Sequence, residues 1–208
     1  MKVLNLYAGI GGNRKLWQDV EVTAVEYNSE IAAIYGEYFP GDTVIVGDAH
    51  QYLLEHYKEF DFIWSSRPCQ SHSRARMWTS KGGRYMPVYP DMALYQEVIF
   101  MQNFCECPWV MENVVPYYEP LIKPTAKIDR HLFWASFKID QAAFKGSDVW
   151  ALKSTDTVYG FSLSGRKMEH RKDQILRNLI NPELGLYILE QSKGIKTAQQ
   201  STHLHLFA

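Results

Sequence analysis

Short apolar runs alternate with amphipathic segments along the first 115 residues of the chain. The runs at 1–7, 20–27, 43–46, 60–65 and 109–115 each end in turn-forming or polar residues. Apolar runs of this length are typical of strands that are buried on both faces of a sheet. A β-α-β-α rhythm predicts a parallel sheet with right-handed crossovers, so we expect an α/β, doubly wound fold.

The intervening segments carry helix signals. Asn13 is a suitable N-cap for a helix through Trp17, Ser29 for a second helix, and a third helix is predicted over Met92–Phe104. Residues 129–137 are predicted to form a sixth strand. Residues 138–170 contain several turn formers and little alternation, which indicates a small irregular excursion, and a final helix is expected to pack back on the sheet.

Polar residues and glycines follow the first three predicted strands. The turn at 8–12 contains three glycines, which let a backbone approach a ligand without a Cβ clash. Glu26 ends the second strand, where an acid holds ribose hydroxyls in doubly wound nucleotide sites. Tyr27 is placed to stack on an adenine ring, and Asp48 to accept a hydrogen bond from its amine. The same residues would also suit a turn kept for packing and solvated acids at strand ends.

Two further residues stand out at strand ends. Cys69 follows Pro68 just after the fourth strand, at the edge where parallel sheets bind ligands. An isolated thiol at this place would also suit a buried structural cysteine. Glu112 lies inside the apolar fifth strand, where a carboxyl is costly unless it is paired or protonated, so it is a functional candidate.

Charge changes this picture only locally. With 22 Lys and Arg against 23 Asp and Glu, the net charge of -1 gives no global basic field. The run 74–84 nevertheless contains Arg74, Arg76, Lys81 and Arg84 around an aromatic residue and two glycines. A flexible loop of this composition suits a phosphate backbone and an unstacked base, although an ordinary solvated loop has the same composition.

Three cysteines do not make a disulfide scaffold in 208 residues, and Cys105 and Cys107 lack the partners of a structural zinc site. We therefore predict no metal. No signal segment and no run of 18 apolar residues is recognised, so a cytoplasmic protein without membrane contact is expected.

In the order of its motifs the chain resembles the cytosine-C5 DNA methyltransferases. The residues 6–12 look like the cofactor loop of that family, 68–70 its nucleophile motif and 112–114 its second catalytic motif. Arg130 matches a later arginine position, and 174–185 is similar to the closing motifs. The resemblance implies a Rossmann-like, S-adenosylmethionine-dependent methyltransferase sheet. It divides the chain into a catalytic and cofactor-binding core (1–137), a reduced target-recognition excursion (138–170) and a C-terminal helix region (171–208).

The resemblance also assigns roles. Cys69 is the nucleophile that adds to carbon 6 of a flipped cytosine, with a thiol pKa expected to be lowered by nearby positive charge or a helix dipole. Glu112 holds N3 and the exocyclic amine, and Arg130 steadies O2. The residues implied for the cofactor are Tyr7, Ala8, Gly9, Ile10, Gly11, Gly12, Glu26, Tyr27, Asp48, Ala49, Ser66 and Asn178. Those implied for nucleic acid are Gln70, Ser71, Ser73, Arg74, Arg76 and Arg84.

The chain departs from the family pattern at two places. Arg67 stands where the family has a small or apolar residue, and its cation is expected close to the thiol and the donor sulfonium. This motivates the hypothesis of a methyl donor that carries a carboxylate. The short recognition region predicts relaxed specificity or help from a homodimer or partner subunit.

These departures leave the substrate and the activity open. RNA would suit a compact recognition region, and a catalytically silent relative that binds nucleic acid would suit the change at Arg67. The motif style is similar to compact phage-encoded members, which would act on DNA in the host cytoplasm, in DNA modification or restriction-modification.

Overall fold

A seven-stranded, mostly parallel sheet forms the centre of the computed structural model, which describes residues 1–144 and 152–194. The strand order is β3-β2-β1-β4-β5-β7-β6. The strands are β1 Lys2–Leu6, β2 Glu21–Glu26, β3 Thr43–Val46, β4 Phe62–Ser65, β5 Trp109–Val114, β6 Ala126–Ile128 and β7 His131–Ala135. The helices are α1 Ser29–Tyr38, α2 Ala49–His56, α3 Arg74–Lys81, α4 Ala93–Phe104, α5 Lys172–Arg177 and α6 Pro182–Ser192.

The strand order places a switch point between β1 and β4. From β1 the chain moves outward through β2 to β3, then returns to pair β4 on the other side of β1. In open α/β sheets the crevice for a ligand lies at such a point, beyond the carboxyl ends of the strands. The segments that follow β1 and β4, 7–12 and 66–73, therefore meet at this edge.

Both faces of the sheet are covered by helices, as the continuous apolar strands predict. Val3 and its neighbours on one face pack against Leu184 and Ile188 of α6. Leu4 and its neighbours on the other face pack against Leu53 of α2 and Val98 of α4. The predicted α/β, doubly wound fold is thereby confirmed.

The predicted helix after the glycine turn is wrong. Residues 8–17 form a series of turns, and Asn13 does not cap a helix but donates its side-chain amide to Asn5 Oδ1 at 2.8 Å. The indole of Trp17 donates to the carbonyl of Gly185 in α6 at 3.0 Å. The segment packs closely on α6, since a Cβ on Gly185 would meet the backbone of Asn13.

Other boundaries differ in smaller ways. Asn28, and not Ser29, caps α1 by accepting a hydrogen bond from the amide of Ile31 at 3.0 Å. The predicted sixth strand is β7, which runs antiparallel to β5 and is preceded by the short strand β6. The left-handed Asp129, with φ of 54°, forms the turn between β6 and β7. A local turn therefore reverses the chain where the apolar pattern indicated a single strand.

The described part of the 138–170 excursion packs on the core and does not project from it. Residues Thr157–Val158 (β8) and Phe161–Ser162 (β9) form a hairpin, whose Phe161 is buried against Ile10 and Leu176. Tyr38 of α1 accepts a hydrogen bond from the amide of Ser162 at 2.9 Å. The division of the chain at 137 and 170 stays a prediction. Of the C-terminal region predicted at 171–208, residues 195–208 lie outside the described residues.

The described helices are short. α4, the longest of them, has 12 residues. None of the helices in residues 1–144 and 152–194 combines the length and apolar character that crossing a bilayer requires.

Candidate active site at the switch point of the sheet

A cleft of about 260 Å³ opens at the carboxyl ends of β1 and β4. It brings together residues that lie far apart in the chain, from the glycine turn, from the segment after β4, from β5 and β7, and from α5 and the residues after it. The sequence-predicted residues that line it are Tyr7, Ala8, Gly9, Ile10, Gly12, Glu26, Tyr27, Ser66, Cys69, Gln70, Glu112, Arg130 and Asn178. The fold therefore joins the predicted cofactor loop and the predicted catalytic residues in a single cleft.

Backbone amides hold the carboxylate of Glu26 at one end of the cleft. Gly9 donates its N–H to Oε2 at 2.9 Å and Asn28 donates to Oε1 at 3.0 Å. Gly9 adopts φ of +56°, where glycine has no steric penalty. Beside the acid, the side chain of Tyr27 is 79% exposed and leaves a ring face free for stacking. This end of the cleft fits a nucleoside, with an acid for hydroxyls and an aromatic face for a base.

Three predicted cofactor residues do not line the cleft. A Cβ on Gly11 would meet the rings of Tyr35 and Phe39, so this glycine permits close packing against α1. Asp48 caps α2 by accepting hydrogen bonds from two backbone amides, at 2.8 and 3.1 Å, and Ala49 is buried beneath that cap. Asp48 thus acts as a helix cap, and Ala49 as a buried residue of the first turn of α2.

The thiol of Cys69 differs from the prediction in its ionisation. Burial, followed by the nearby charge of Glu112, raises the pKa of the thiol to about 11, whereas Arg130 lowers it. The expected lowering is therefore wrong for the protein without substrate. Without bound substrate the sulfur is a protonated thiol at neutral pH, and attack requires the loss of its proton.

Glu112 meets a residue that the sequence did not single out. His131 Nδ1 lies 2.6 Å from Glu112 Oε1, and both side chains are 9% exposed. His131 pairs with Val114 across β5 and β7, which places it on the same face as Glu112, two residues away along β5. The position of a histidine next to Arg130 at the start of a strand was the available sequence signal.

Arg130 and Asn113 fix the backbone around the two candidate catalytic residues. Arg130 donates to the carbonyl oxygen of Arg177 at 2.8 Å, which joins the start of β7 to α5. Asn113 donates from Nδ2 to the carbonyl oxygen of Arg67 at 3.0 Å, just before Pro68 and Cys69. The second catalytic motif (112–114) is therefore hydrogen-bonded directly to the segment that carries Cys69.

Arg67 is not the free cation that the sequence suggested. Its Nη1 donates to Glu97 Oε2 and to the hydroxyl of Tyr7, each at 2.6 Å, and its Nη2 lies 3.2 Å from Asp91. Burial alone would lower the pKa of Arg67, but Glu97 raises it above the usual value. Two carboxylates therefore neutralise the guanidinium, and it offers no unpaired charge to a carboxylated donor.

Glu97 on α4 is the buried centre of this network. Its side chain is fully buried and also accepts hydrogen bonds from Ser65 Oγ at 2.6 Å and from the His50 ring, whose Nδ1 is 3.2 Å away. Burial opposes ionisation, yet these partners together with Arg67 lower the pKa of Glu97. The network, which sequence reasoning missed, anchors the residues before Pro68 to α4.

Removal of His50 should change how stability depends on pH. Its hydrogen bond to Glu97 raises the pKa of His50 above 6.5, so the stabilisation is complete below the unfolded pKa and is lost as pH rises through the folded pKa. We expect urea unfolding to show a larger gap between wild type and His50→Gln at about pH 5.5 than at about pH 8.5. A gap that stays constant between the two pH values would contradict the ion pair.

The residues after Cys69 form structure where a flexible loop was expected. Ser73 caps α3 by accepting a hydrogen bond from the amide of Arg76 at 3.2 Å. Ser71 Oγ accepts from the amide of Asp91 at 3.0 Å, while Gln70 is exposed at the rim of the cleft. Two of the predicted nucleic-acid contacts therefore already have roles inside the protein.

The basic side chains of the predicted loop are distributed along and beyond α3. Arg74 Nε lies 3.4 Å from the carbonyl oxygen of Pro116. The guanidinium of Arg76 lies over the ring of Tyr85, 5.0 Å from its centroid, and Arg84 is exposed. All three follow Cys69 along the chain, and none of them lines the cleft.

Metal ligation finds no support among the residues that the structure describes. In ranges 1–144 and 152–194, no group of three or more His, Cys, Asp or Glu side chains is placed to hold an ion. Cys105 follows α4 as its C-cap, and Cys107 precedes β5.

Comparison with known proteins supports the resemblance that the motifs suggested. Residues 1–103 match the family model described as C-5 cytosine-specific DNA methylase. The predicted resemblance is thereby confirmed for that part of the chain, and S-adenosylmethionine is the cofactor of this methylase domain. The match ends before Glu112, Arg130 and Asn178, so only the tertiary structure connects these residues with the matched part.

Several solved structures are similar over part of the chain. DNMT2 from Spodoptera frugiperda is 25% identical, with 54% of this chain and 35% of that chain covered and a TM-score of 0.40. Methyltransferase EhMeth from Entamoeba histolytica is 13% identical, with 76% and 62% covered and a TM-score of 0.42. A SAM-dependent methyltransferase from Agrobacterium tumefaciens is 14% identical, with 57% and 40% covered and a TM-score of 0.39. The chain thus spans less than two thirds of each of these proteins, and none of the curated proteins matches it.

Proposed function

We propose that this chain, which carries a C-5 cytosine-specific DNA methylase domain over residues 1–103, methylates carbon 5 of cytosine in DNA. The observation that carries the proposal is the cleft itself. It places Cys69, from the matched part, and Glu112, from outside it, beside the glycine turn. A thiol, a carboxyl and a nucleoside-binding end in one cleft are the groups that this reaction needs.

The residues of the cleft fit S-adenosylmethionine. The open space around the Cα of Gly9 leaves room for close approach of a ligand, the carboxylate of Glu26 is held by two amides, and the ring of Tyr27 is exposed. Glu26 would accept hydrogen bonds from the ribose hydroxyls, and Tyr27 would stack on the adenine. When bound, the sulfonium supplies an electrophilic methyl group to the other end of the cleft.

Cys69 and Glu112 would divide the chemistry on the base between them. After losing its proton to solvent, Cys69 forms a bond from sulfur to carbon 6 of cytosine, while the carboxyl of Glu112 donates a proton to N3. The resulting enamine makes carbon 5 nucleophilic enough to accept the methyl group. Loss of the carbon-5 proton and expulsion of the Cys69 thiolate then restore the aromatic ring. Arg130, whose charge already lowers the pKa of Cys69, would stabilise O2 and the thiolate.

A base in a duplex cannot reach this cleft, so the target must be flipped out of the stack. Gln70, Ser71 and Ser73, with Arg74, Arg76 and Arg84, would contact the DNA beside the cleft on the side of Cys69. The described part of the 138–170 excursion packs on the core, and the whole segment is shorter than a separate recognition domain. We therefore propose short or relaxed sequence specificity, or recognition shared with a second subunit.

Covalent trapping on nucleic acid tests the proposed function. We expect the protein with S-adenosylmethionine to form a covalent adduct with 5-fluorocytosine DNA, since fluorine blocks the loss of the carbon-5 substituent after methyl transfer. The adduct would be seen as a shifted band on a denaturing gel. Matched RNA of the same sequence is the control acceptor. An adduct with RNA alone would reassign the substrate, and binding without any adduct would support a catalytically silent protein.

A further inference from the structure

The pair formed by Glu112 and His131 is the strongest observation in the cleft that the proposed roles do not use. The atoms Glu112 Oε1 and His131 Nδ1 are 2.6 Å apart, and both residues line the cleft together with Cys69. Neighbouring antiparallel strands hold the two side chains, so their relative position is fixed by the sheet. A hydrogen bond this short between nearly buried groups restricts both the orientation and the protonation of the carboxyl.

We propose that His131 is the positioning residue of the reaction, which directs the proton of Glu112 to the oxygen that faces the base. This inference rests on the proposed function. With Nδ1–H donating to Oε1, the carboxyl proton is confined to Oε2, the oxygen that is left for N3 of cytosine. A carboxyl without this neighbour would distribute its proton between both oxygens and would rotate more freely.

The proton that Glu112 gives to N3 is returned within the same reaction cycle. During attack by Cys69, the Oε2–H bond breaks and the N3–H bond forms, which leaves Glu112 as a carboxylate. The hydrogen bond from His131 Nδ1–H then becomes charge-assisted and stabilises that carboxylate. When the ring is restored, the proton returns from N3 to Oε2. Between turnovers, the pair holds one transferable proton, which either Glu112 Oε2 or His131 Nε2 can carry.

The surroundings of the pair favour His131 over Arg130 for this role. Arg130 Nη2 donates to the carbonyl of Arg177, whereas His131 contacts the carboxyl directly. The other titratable and charged residues that line the cleft are Tyr7, Glu26, Tyr27, Arg67, Cys69, Arg130 and Arg177.

Two substitutions separate orientation from proton storage. His131→Asn keeps a side-chain amide that can donate to Oε1 but cannot hold the shared proton. Above neutral pH we expect kcat to fall about 10-fold, with near wild-type kcat in mild acid, because the alkaline limb of the pH profile moves down by about one unit. His131→Leu removes both functions, and its kcat should fall about 100-fold at every pH with little change in the KM for DNA.

The matched control is His56→Asn, because His56 pairs with Glu59 at 2.8 Å on the surface, outside the cleft. Its pH profile should equal that of wild type. A readout independent of turnover is nitrogen-15 NMR of the histidine rings in the protein without ligands. We expect Nδ1 of His131 to stay protonated across the titration in wild type and to lose this behaviour in Glu112→Gln.

The outcomes distinguish this inference from the proposed function. Two results would overturn the inference alone, provided that wild type forms the adduct. The first is a wild-type pH profile in His131→Asn, and the second is an unprotonated Nδ1 of His131 in wild type. In either case His131 does not position the proton. A wild-type protein that forms no adduct overturns both. Should a variant fold poorly, which thermal unfolding by circular dichroism detects, the NMR titration of wild type alone decides.

Discussion

Cys69→Ser is expected to abolish methyl transfer and the adduct with 5-fluorocytosine DNA, with a loss of about 10⁴-fold or more in kcat. The hydroxyl of serine is a far weaker nucleophile than a thiol, and burial opposes its ionisation even more strongly. Burial already raises the pKa of the Cys69 thiol to about 11, so no spare reactivity would remain. Radiolabelled methyl transfer to DNA measures the loss.

Cys105→Ser is the matched control for this substitution. Cys105 is also a free, partly buried cysteine, but it caps α4 away from the cleft. It should keep full transfer activity, and Cys69→Ser should keep the wild-type affinity for S-adenosylmethionine by calorimetry, since the sulfur is not needed to hold the nucleoside. Transfer that survives in Cys69→Ser would exclude the covalent mechanism.

Arg67→Met is expected to destabilise the protein by about 3 kcal/mol, because it leaves the buried carboxylate of Glu97 without its guanidinium partner. The methionine side chain fills a similar volume, so the loss is mainly electrostatic. Urea unfolding monitored by tryptophan fluorescence measures it as a lower midpoint with an unchanged slope. The same substitution should slow methyl transfer, since Arg67 ties the residues before Cys69 to Tyr7 and to α4.

Two further proteins test the cause of that destabilisation. Arg67→Met combined with Glu97→Gln removes the unpaired charge and should cost less than about 2 kcal/mol in total, which is less than the single substitution. Arg166→Met breaks the exposed pair with Glu37 and should lower the free energy of unfolding far less than Arg67→Met does. If the double variant were less stable than Arg67→Met alone, packing and not charge would be the reason.

The same network explains why the sequence misjudged Arg67. Its departure from the family pattern was visible in the sequence, but its partners were not, because Glu97 lies 30 residues further along the chain. The crossover through α4 brings that carboxylate under the carboxyl end of β4. The hypothesis of a carboxylated donor started from an unpaired cation, whereas in the fold Glu97 and Asp91 pair with Arg67.

The amino-acid sequence by itself determined the strands, the glycine turn and the positions of Cys69 and Glu112. Apolar runs and turn residues encode these features within a few positions, and motif order added the likeness that the match over residues 1–103 confirms. Only the tertiary structure decided that residues 8–17 form no helix, that Cys69 is a protonated thiol and that His131 pairs with Glu112. Each of these three features depends on burial or hydrogen bonding by segments that are remote in the chain, such as α6 or β7. Contacts of this kind follow from strand register and from the crossovers between strands, and local sequence patterns specify neither.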